Sequence, residues 1–265
     1  MVFPEYATLG ISAAGEHALV VTLNRPAALN ALNTRMGEEL HELLQRIATS
    51  PEAPRCVVLT GAGGRAFCAG ADLKERQGMT GEAWRAQHEV FERMYAALME
   101  LPLPAIAALN GHAFGGGLEI ALACDFIFAA RGARCALPEA KLGIMPGGGG
   151  TQNLSRAVGA RRAKELIFTG RAFSAEEGER WGLFNRVCEP GALLGEALTA
   201  AGEIAANAPL SVRQAKRAIL RGTGKNIHDA YLEEIEAYHR LVDTEDRREG
   251  VAAFNAKRKP VFRGR

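Results

Sequence analysis

Two glutamates beside glycine-rich or turn segments are candidates for acid/base chemistry, and one stands where a carboxylate is hard to explain as a surface residue. Glu119 ends the run Gly115-Gly116-Gly117-Leu118-Glu119 and sits in an otherwise apolar stretch, Leu118 to Ala123. A carboxylate there is costly unless it is paired, hydrogen-bonded or functional. Glu139 lies in Pro138-Glu139-Ala140-Lys141-Leu142-Gly143, beside a turn. A third segment, Ala66-Phe67-Cys68-Ala69-Gly70-Ala71-Asp72-Leu73-Lys74, follows an apolar strand and opens a helix. Its small residues at 69–71 leave backbone N–H groups approachable. The three glycines before Leu118 do the same at the start of a short helix. Free N–H donors and the positive end of the dipole meet there, where an oxyanion can be held.

Taken singly, each segment also has an ordinary structural explanation. Gly115–Gly117 can be a tight strand-to-helix turn. Glu119 can be a dipole-stabilising first-turn carboxylate, and Glu139 an exposed residue at a helix start. Cys68 has no neighbouring His and reads as a small buried hydrophobe. His88 and His112 read as packed or surface histidines. Other chemistries fail on spacing. Gln45 follows His41-Glu42 where a zinc motif needs His, and no G-x-S-x-G elbow occurs. The glycine run 146–150 leads into Thr151 rather than Gly-Lys-Ser/Thr, and no cluster fits G-x-G-x-x-G.

The elements that must position these residues are legible as alternating strands and helices. Apolar runs at 18–23, 56–60, 104–109 and 125–130 read as strands. Thr34 is expected to cap a helix to about Ile47, with Met36, Leu40, Leu43, Leu44 and Ile47 on one face. A helix over 82–100 carries Trp84, Phe91, Met94, Tyr95 and Leu98 as an apolar stripe, which reads as core. Strand–helix units recur about four times, an α/β pattern. Beyond residue 150 helices dominate, at about 151–158, 160–168, 174–181, 191–206, 209–221, 226–242 and 244–256, with only 185–188 reading as a strand.

Composition narrows the classes further. The chain has 265 residues, 48% hydrophobic and 23% charged, enough for a core that needs no metal or disulfide. A net charge of +2 gives no electrostatic footprint for nucleic acid or a membrane. Five cysteines without a CxxC point to reduced thiols and a cytoplasmic setting. Residues 1–5 show neither a signal-peptide nor a transit-peptide pattern. No apolar run is long enough to span a bilayer.

In their order, the three segments resemble the crotonase (enoyl-CoA hydratase/isomerase) superfamily. The match takes in Asn24-Arg25-Pro26, Leu29-Asn30-Ala31-Leu32, the strand at Asp125, residues 146–152 and Asp246-Arg247-Arg248-Glu249-Gly250. It covers nearly the whole chain. The resemblance implies a crotonase-like spiral of ββα units over residues 1–195, carrying the catalytic and CoA-binding site. A C-terminal α-helical trimerisation region over residues 196–265 would follow, in a homotrimer or a homohexamer formed as a dimer of trimers. The implied substrate is an acyl-CoA thioester, coenzyme A being part of the substrate, with no separate cofactor and no metal.

The same resemblance implies roles for residues. The N–H groups of Ala71 and Gly116 would form an oxyanion hole that grips the thioester oxygen while an enolate forms. Hydratases of the family keep two glutamates, and both matching positions here are glutamate. The implied reaction is syn addition of water to a trans-2-enoyl-CoA, giving a 3-hydroxyacyl-CoA. Glu139 would protonate the α-carbon and Glu119 would hold and activate the water. Two carboxylates around one water cannot both ionise freely, which separates acid from base. For coenzyme A, the implied contacts are Arg25, Ala69 near the adenine, Asp72, Leu73, Lys74 near the phosphates and Lys257 at the 3′-phosphate. Two positions depart from the pattern: Ala27, where many members carry Lys, and Asn153, where Arg is frequent. Residues 67–76 (FCAGADLKER), 115–125 and 146–152 look most like the methylglutaconyl-CoA hydratase branch. Alternatives are a Δ3,Δ2-enoyl-CoA isomerase using one glutamate, a quiet CoA-ester-binding protein, and an RNA-binding module, which the near-neutral charge does not support.

Overall fold

The apolar runs lack polar alternation, so a sheet built from them needs cover on both faces. The computed structural model describes residues 3–265; Met1 and Val2, part of the stretch read for a leader, lie outside the described residues. In chain order the strands are β1 (Leu9–Ala14), β2 (Ala18–Leu23), β3 (Cys56–Gly61), β4 (Ala66–Cys68), β5 (Ala105–Leu109), β6 (His112–Phe114), β7 (Phe126–Ala130), β8 (Arg134–Ala136), β9 (Phe173–Ser174) and β10 (Arg186–Cys188). The helices are α1 (Thr34–Thr49), α2 (Leu73–Arg76), α3 (Gly81–Met99), α4 (Gly116–Ala123), α5 (Gly150–Val158), α6 (Ala160–Thr169), α7 (Ala175–Arg180), α8 (Leu193–Ala205), α9 (Pro209–Gly222), α10 (Ile227–His239) and α11 (Glu245–Asn255).

Strands are dealt alternately to two sheets. One has the order β1-β2-β3-β5-β7-β10, the other β4-β6-β8-β9. β1 and β2 form an antiparallel hairpin, and β2, β3, β5, β7 and β10 run parallel. In the smaller sheet β4, β6 and β8 are parallel and β9 is antiparallel to β8. One strand in the large sheet, one in the small sheet and then a helical segment make each turn of the spiral. This is the ββα architecture the resemblance implies.

Period-two alternation divides each strand between two cores. Val57 and Leu59 of β3 join Met36, Leu40 and Leu43 of α1 and Met94 and Leu98 of α3 on one face. Cys56 and Val58 join Ile106, Phe128 and the α8 residues Leu193, Ala197 and Ala201 on the other. The α3 stripe is core at Met94 and Leu98, as expected, but Trp84, Phe91 and Tyr95 also line a cavity.

Several local readings change. Asn33, not Thr34, caps α1: its Oδ1 accepts from Met36 N at 3.0 Å. The Thr34 hydroxyl instead accepts from Gln87 Nε2 at 2.8 Å. Beyond residue 150, β9 is a second strand, and its Ser174 is the N-cap of α7 through a capping box with Glu177. The residue 195/196 division falls inside α8, which packs on the large sheet through Ala201. The purely helical remainder is α9–α11. Among the described residues no helix is long and apolar enough to cross a membrane.

One close approach sets the position of α4. A Cβ on Gly117 would lie 2.1 Å from the Cys68 carbonyl oxygen and 2.7 Å from its carbon. Only glycine lets the first turn of α4 rest on the end of β4. Gly117→Ala should therefore lower stability by about 1–3 kcal/mol. Gly195→Ala, on the exposed side of α8 with nothing within 4 Å, should be neutral or stabilising by about 0.5–1 kcal/mol. Urea midpoints of the two variants check this; equal midpoints would contradict the packing argument.

Candidate active site

After β4 the chain turns through Ala69-Gly70-Ala71 into α2, which Asp72 caps by accepting from the N–H groups of Lys74 (3.1 Å) and Glu75 (3.4 Å). Leu32 bridges this turn in parallel: its N–H donates to Gly70 O at 2.8 Å, and its carbonyl accepts from Asp72 N at 2.9 Å. That pairing skips Ala71, whose N–H has no acceptor among the described residues. Gly116 opens α4, and its N–H also lacks one, as first-turn amides do. A Cβ on Gly116 would stand 3.9 Å from Ala71 N, so the two amides are neighbours. Both residues line a cavity of about 760 Å³. Two free donors at one point can hold a developing oxyanion.

Tyr95 of α3 fixes this corner from behind. It is buried, and its hydroxyl donates to Gly116 O at 2.8 Å. Burial, reinforced by the charge of Glu119, holds the phenol well above its ordinary pKa, so it stays a neutral donor.

The two glutamates reach the same cavity with different partners. Glu119, in the first turn of α4, is 3% exposed. Its Oε1 accepts from Gly148 N and Gly150 N, each at 2.8 Å, at the entry to α5. Burial raises its pKa, while the amides of Gly150, Gly148 and Gly147 pull it back toward the charged form. Glu139 opens the 3-10 turn Glu139–Leu142 and is 8% exposed. Its Oε1 lies over Gly115, where a Cβ would stand 2.9 Å away and φ is 51°. Its Oε2 is buried without a hydrogen-bond partner among the described residues. Burial, with the Glu119 charge adding to it, raises the Glu139 carboxyl to about 7. One carboxylate is thus stabilised in its charged form by N–H donors, and the other is poised to carry a proton near neutrality.

The remaining sequence candidates separate into groups. Ala69, Ala71 and Leu73 line the cavity. Arg25 and Asp72 do not; they pair with each other, Nη2 to Oδ2 at 2.9 Å, while Arg25 Nη1 donates to Ala31 O. Burial pushes the Asp72 carboxyl up, but Arg25 and the α2 amides bring it below the usual range. The pair braces the turn that carries Ala71. Lys74 is exposed on α2, and Lys257 is exposed beyond α11 with φ 53°; neither lines the cavity. Cys68 is fully buried and its thiol is pushed up to about 11, which fits a hydrophobe rather than a nucleophile.

Two cavity groups, Tyr95 and Arg76, are not marked by the sequence as site residues, and His88, which reads as a packed or surface histidine, lines the cavity as well. Tyr95 reads as part of the apolar stripe. His88, also on the cavity wall, has Nδ1 3.3 Å from Glu92 Oε1. Arg76 sits at the end of α2. The available signal was the spacing of Trp84, His88, Phe91 and Tyr95, which puts a phenol and an imidazole on one helix face with two large rings.

Comparison with known proteins agrees with this geometry. The family model for enoyl-CoA hydratase/isomerase matches residues 14–265. The putative enoyl-CoA hydratase/isomerase YngF of Bacillus subtilis is 46% identical over 249 residues, covering 94% of this chain and 95% of that protein. The short-chain-enoyl-CoA hydratase of Clostridium acetobutylicum is 44% identical over 240 residues, 91% of this chain and 92% of its own. The crystal structure of an enoyl-CoA hydratase from Bacillus anthracis superposes with a TM-score of 0.95 at 43% identity, over 97% of this chain and 100% of that one. With cavity, fold and near-full-length likeness in agreement, the chain belongs to the enoyl-CoA hydratase/isomerase family.

Proposed function

We propose that the protein is an enoyl-CoA hydratase that adds water syn across the double bond of a trans-2-enoyl-CoA. The observation that carries this reading is the pair of carboxylates, Glu119 and Glu139, in one cavity beside two unbonded backbone amides. The thioester oxygen accepts from Ala71 N–H and Gly116 N–H. Glu119, as carboxylate, takes a proton from water while the water oxygen bonds to the β-carbon. The π electrons move to the thioester oxygen, and the resulting enolate is held by the two amides. Glu139, as carboxylic acid, delivers its proton to the α-carbon, and the thioester carbonyl re-forms. Glu119 then carries one proton more and Glu139 one fewer, and exchange with solvent restores both. Every group this addition requires comes from the chain and the substrate, so the reading includes no cofactor beyond the coenzyme A of the substrate. Methylglutaconyl-CoA remains a candidate substrate from the likeness of residues 67–76.

The same reading places the protein in the cytoplasm as a homotrimer or a homohexamer. Its support is the exposed apolar side chains of the late helices, among them Ile219, Ile227, Tyr231, Tyr238 and Phe254, which a monomer would leave in water. Light scattering coupled to size exclusion should return three or six times 28.3 kDa; a monomer at micromolar concentration would refute the assembly.

Loss of the conjugated enoyl-thioester absorbance of crotonyl-CoA measures the reaction. Glu119→Gln and Glu139→Gln should each slow it by roughly 10²–10⁴-fold, since each removes a proton-transfer group. A Glu119→Gln enzyme that moves a Δ3 double bond to Δ2 at the wild-type rate would favour the one-glutamate isomerase. The pH profile of kcat/KM follows from the two environments. Glu139 must be protonated, so activity should fall as pH rises through about 7. Glu119 must be ionised, so activity should also fall toward acid pH, with a limb above the ordinary carboxylate range. The alkaline limb should vanish from the residual activity of Glu139→Gln; its persistence would assign it to another group.

A further inference from the structure

Arg76 is a cavity-lining cation that, among the described residues, forms no ion pair. It ends α2 and lines the cavity, half-buried. Its guanidinium carbon lies 4.3 Å from the centroid of the Trp84 ring and 5.6 Å from that of Phe91. Its Nε donates to Gln87 Oε1 at 2.8 Å. Gln87 is buried, and its own Nε2 is committed to Thr34 Oγ1 and Glu75 Oε2, both at 2.8 Å. The amide therefore cannot turn over, and its oxygen is locked toward Arg76. This is a guanidinium oriented in advance, through Nε on one side and two rings beneath it, with Nη1 and Nη2 bonded to no protein group.

No carboxylate forms an ion pair with it; Glu75 acts on it only through space. Among the described residues Arg76 has no acidic partner within 4.0 Å, although ion pairs are common elsewhere in the molecule. Glu75 Oε2 is taken by Thr34 N and Gln87, and Glu92 faces His88. A partly desolvated cation without a direct ion pair is unfavourable in the free protein. The planar fork of Arg suits bidentate binding of a carboxylate or phosphate. Two observations separate these anions. Lys74 and Arg76 are two residues apart on one helical turn, so their side chains leave α2 about 200° apart. Lys74 is exposed, whereas Arg76 turns into the cavity beside apolar walls. Arg76 also shares the α3 wall with Tyr95, whose hydroxyl holds the Gly116 carbonyl, which puts it on the side of the reacting acyl group.

We propose that Arg76 is a specificity-determining residue that binds a carboxylate at the far end of the acyl chain, so that the preferred substrates are enoyl thioesters of dicarboxylic acids. This deepens the hydratase reading and rests on it only for the acyl thioester itself. Saturated esters separate the two, because they bind with nothing to hydrate. Glutaryl-CoA and pentanoyl-CoA have acyl chains of equal length and differ in a terminal carboxylate against a methyl group. Titration calorimetry should show wild-type protein binding glutaryl-CoA about 10- to 100-fold more tightly, the range for a hydrogen-bonded charged group. In Arg76→Gln, checked for folding by circular dichroism, that ratio should collapse toward one, and Arg76→Lys should restore part of it. Equal affinities in the wild type would overturn the proposal. So would an equal loss for both esters in Arg76→Gln, which marks a contact to the CoA phosphates or a structural role. A wild type with the preference intact but no hydration of crotonyl-CoA or glutaconyl-CoA would overturn the hydratase reading and leave the carboxylate site standing.

Discussion

The Cys68 carbonyl occupies the space where a side chain on Gly117 would project, and that contact brings two parts of the chain to one point. It seats the first turn of α4 on the end of β4, and so puts the leading amide of a helix beside the amide of Ala71. A helix N-terminus always has unbonded N–H groups, but a strand-to-helix turn does not. At Ala71 the freedom comes from the parallel bridge with Leu32, which uses Gly70 O and Asp72 N and passes over the residue between them. The Arg25–Asp72 pair and the Tyr95 hydroxyl then brace the two sides. Rigid donors aimed before the reaction begins need no reorganisation when charge develops, which is why such pairs dominate catalysis of this kind.

Two residues of one type acquire opposite characters from what surrounds them. Both glutamates are buried, so both are pushed toward the neutral form. The difference is the turn into α5, which aims two N–H groups at Glu119, whereas Glu139 Oε2 meets none. The run Pro146-Gly147-Gly148-Gly149-Gly150 supplies that cradle, and side chains there would meet His88, Tyr95 or Glu119 itself. Stability is spent in return. A carboxyl whose folded pKa is about 7 favours the folded state at acid pH, and that contribution is lost as pH rises through 7. The protein therefore carries a destabilising group in the pH range where the proposed acid operates.

The sequence was informative where its signals are long or costly. Strands of five or six apolar residues, the α1 face and the glycine-flanked Glu119 all stood out, because periodicity or an expensive buried charge marked them. β4, β6, β8 and β9 are only two or three residues long and have no period to read, so the second sheet emerged only through the family resemblance. Helix caps failed by one residue at Asn33-Thr34, where either side chain can accept the bond. Arg25 and Asp72 show a different limit. Residues that brace a site and residues that touch a ligand have the same types and occur in the same segments, so composition cannot separate them. Tyr95 escapes for the converse reason: the α3 stripe serves core and cavity together, so a phenol within it reads as core.

Groups without a protein partner gather at one cavity. Ala71 N–H, Gly116 N–H, Glu139 Oε2 and the Arg76 Nη atoms all lack partners among the described residues, and all four residues border the same cavity. Elsewhere Tyr6 Oη, Arg213 Nε and Gln214 Oε1 are also buried without a bond, whereas other buried polar groups find bonds even when the geometry is demanding. Glu39 collects Ala7 N, Thr8 N, the Thr8 hydroxyl and Arg35, and Asn30 bonds Ala62 O, Ala66 O and Arg25 N. A fold able to satisfy those groups has the means to satisfy four more. Leaving them open costs stability that evolution could recover, so their concentration at one place reflects partners supplied from outside. Their chemistry describes what is missing: an oxygen that gains negative charge between two amides, an atom able to take a proton from Glu139, and an anion for the guanidinium. An enoyl thioester with a terminal carboxylate carries all three.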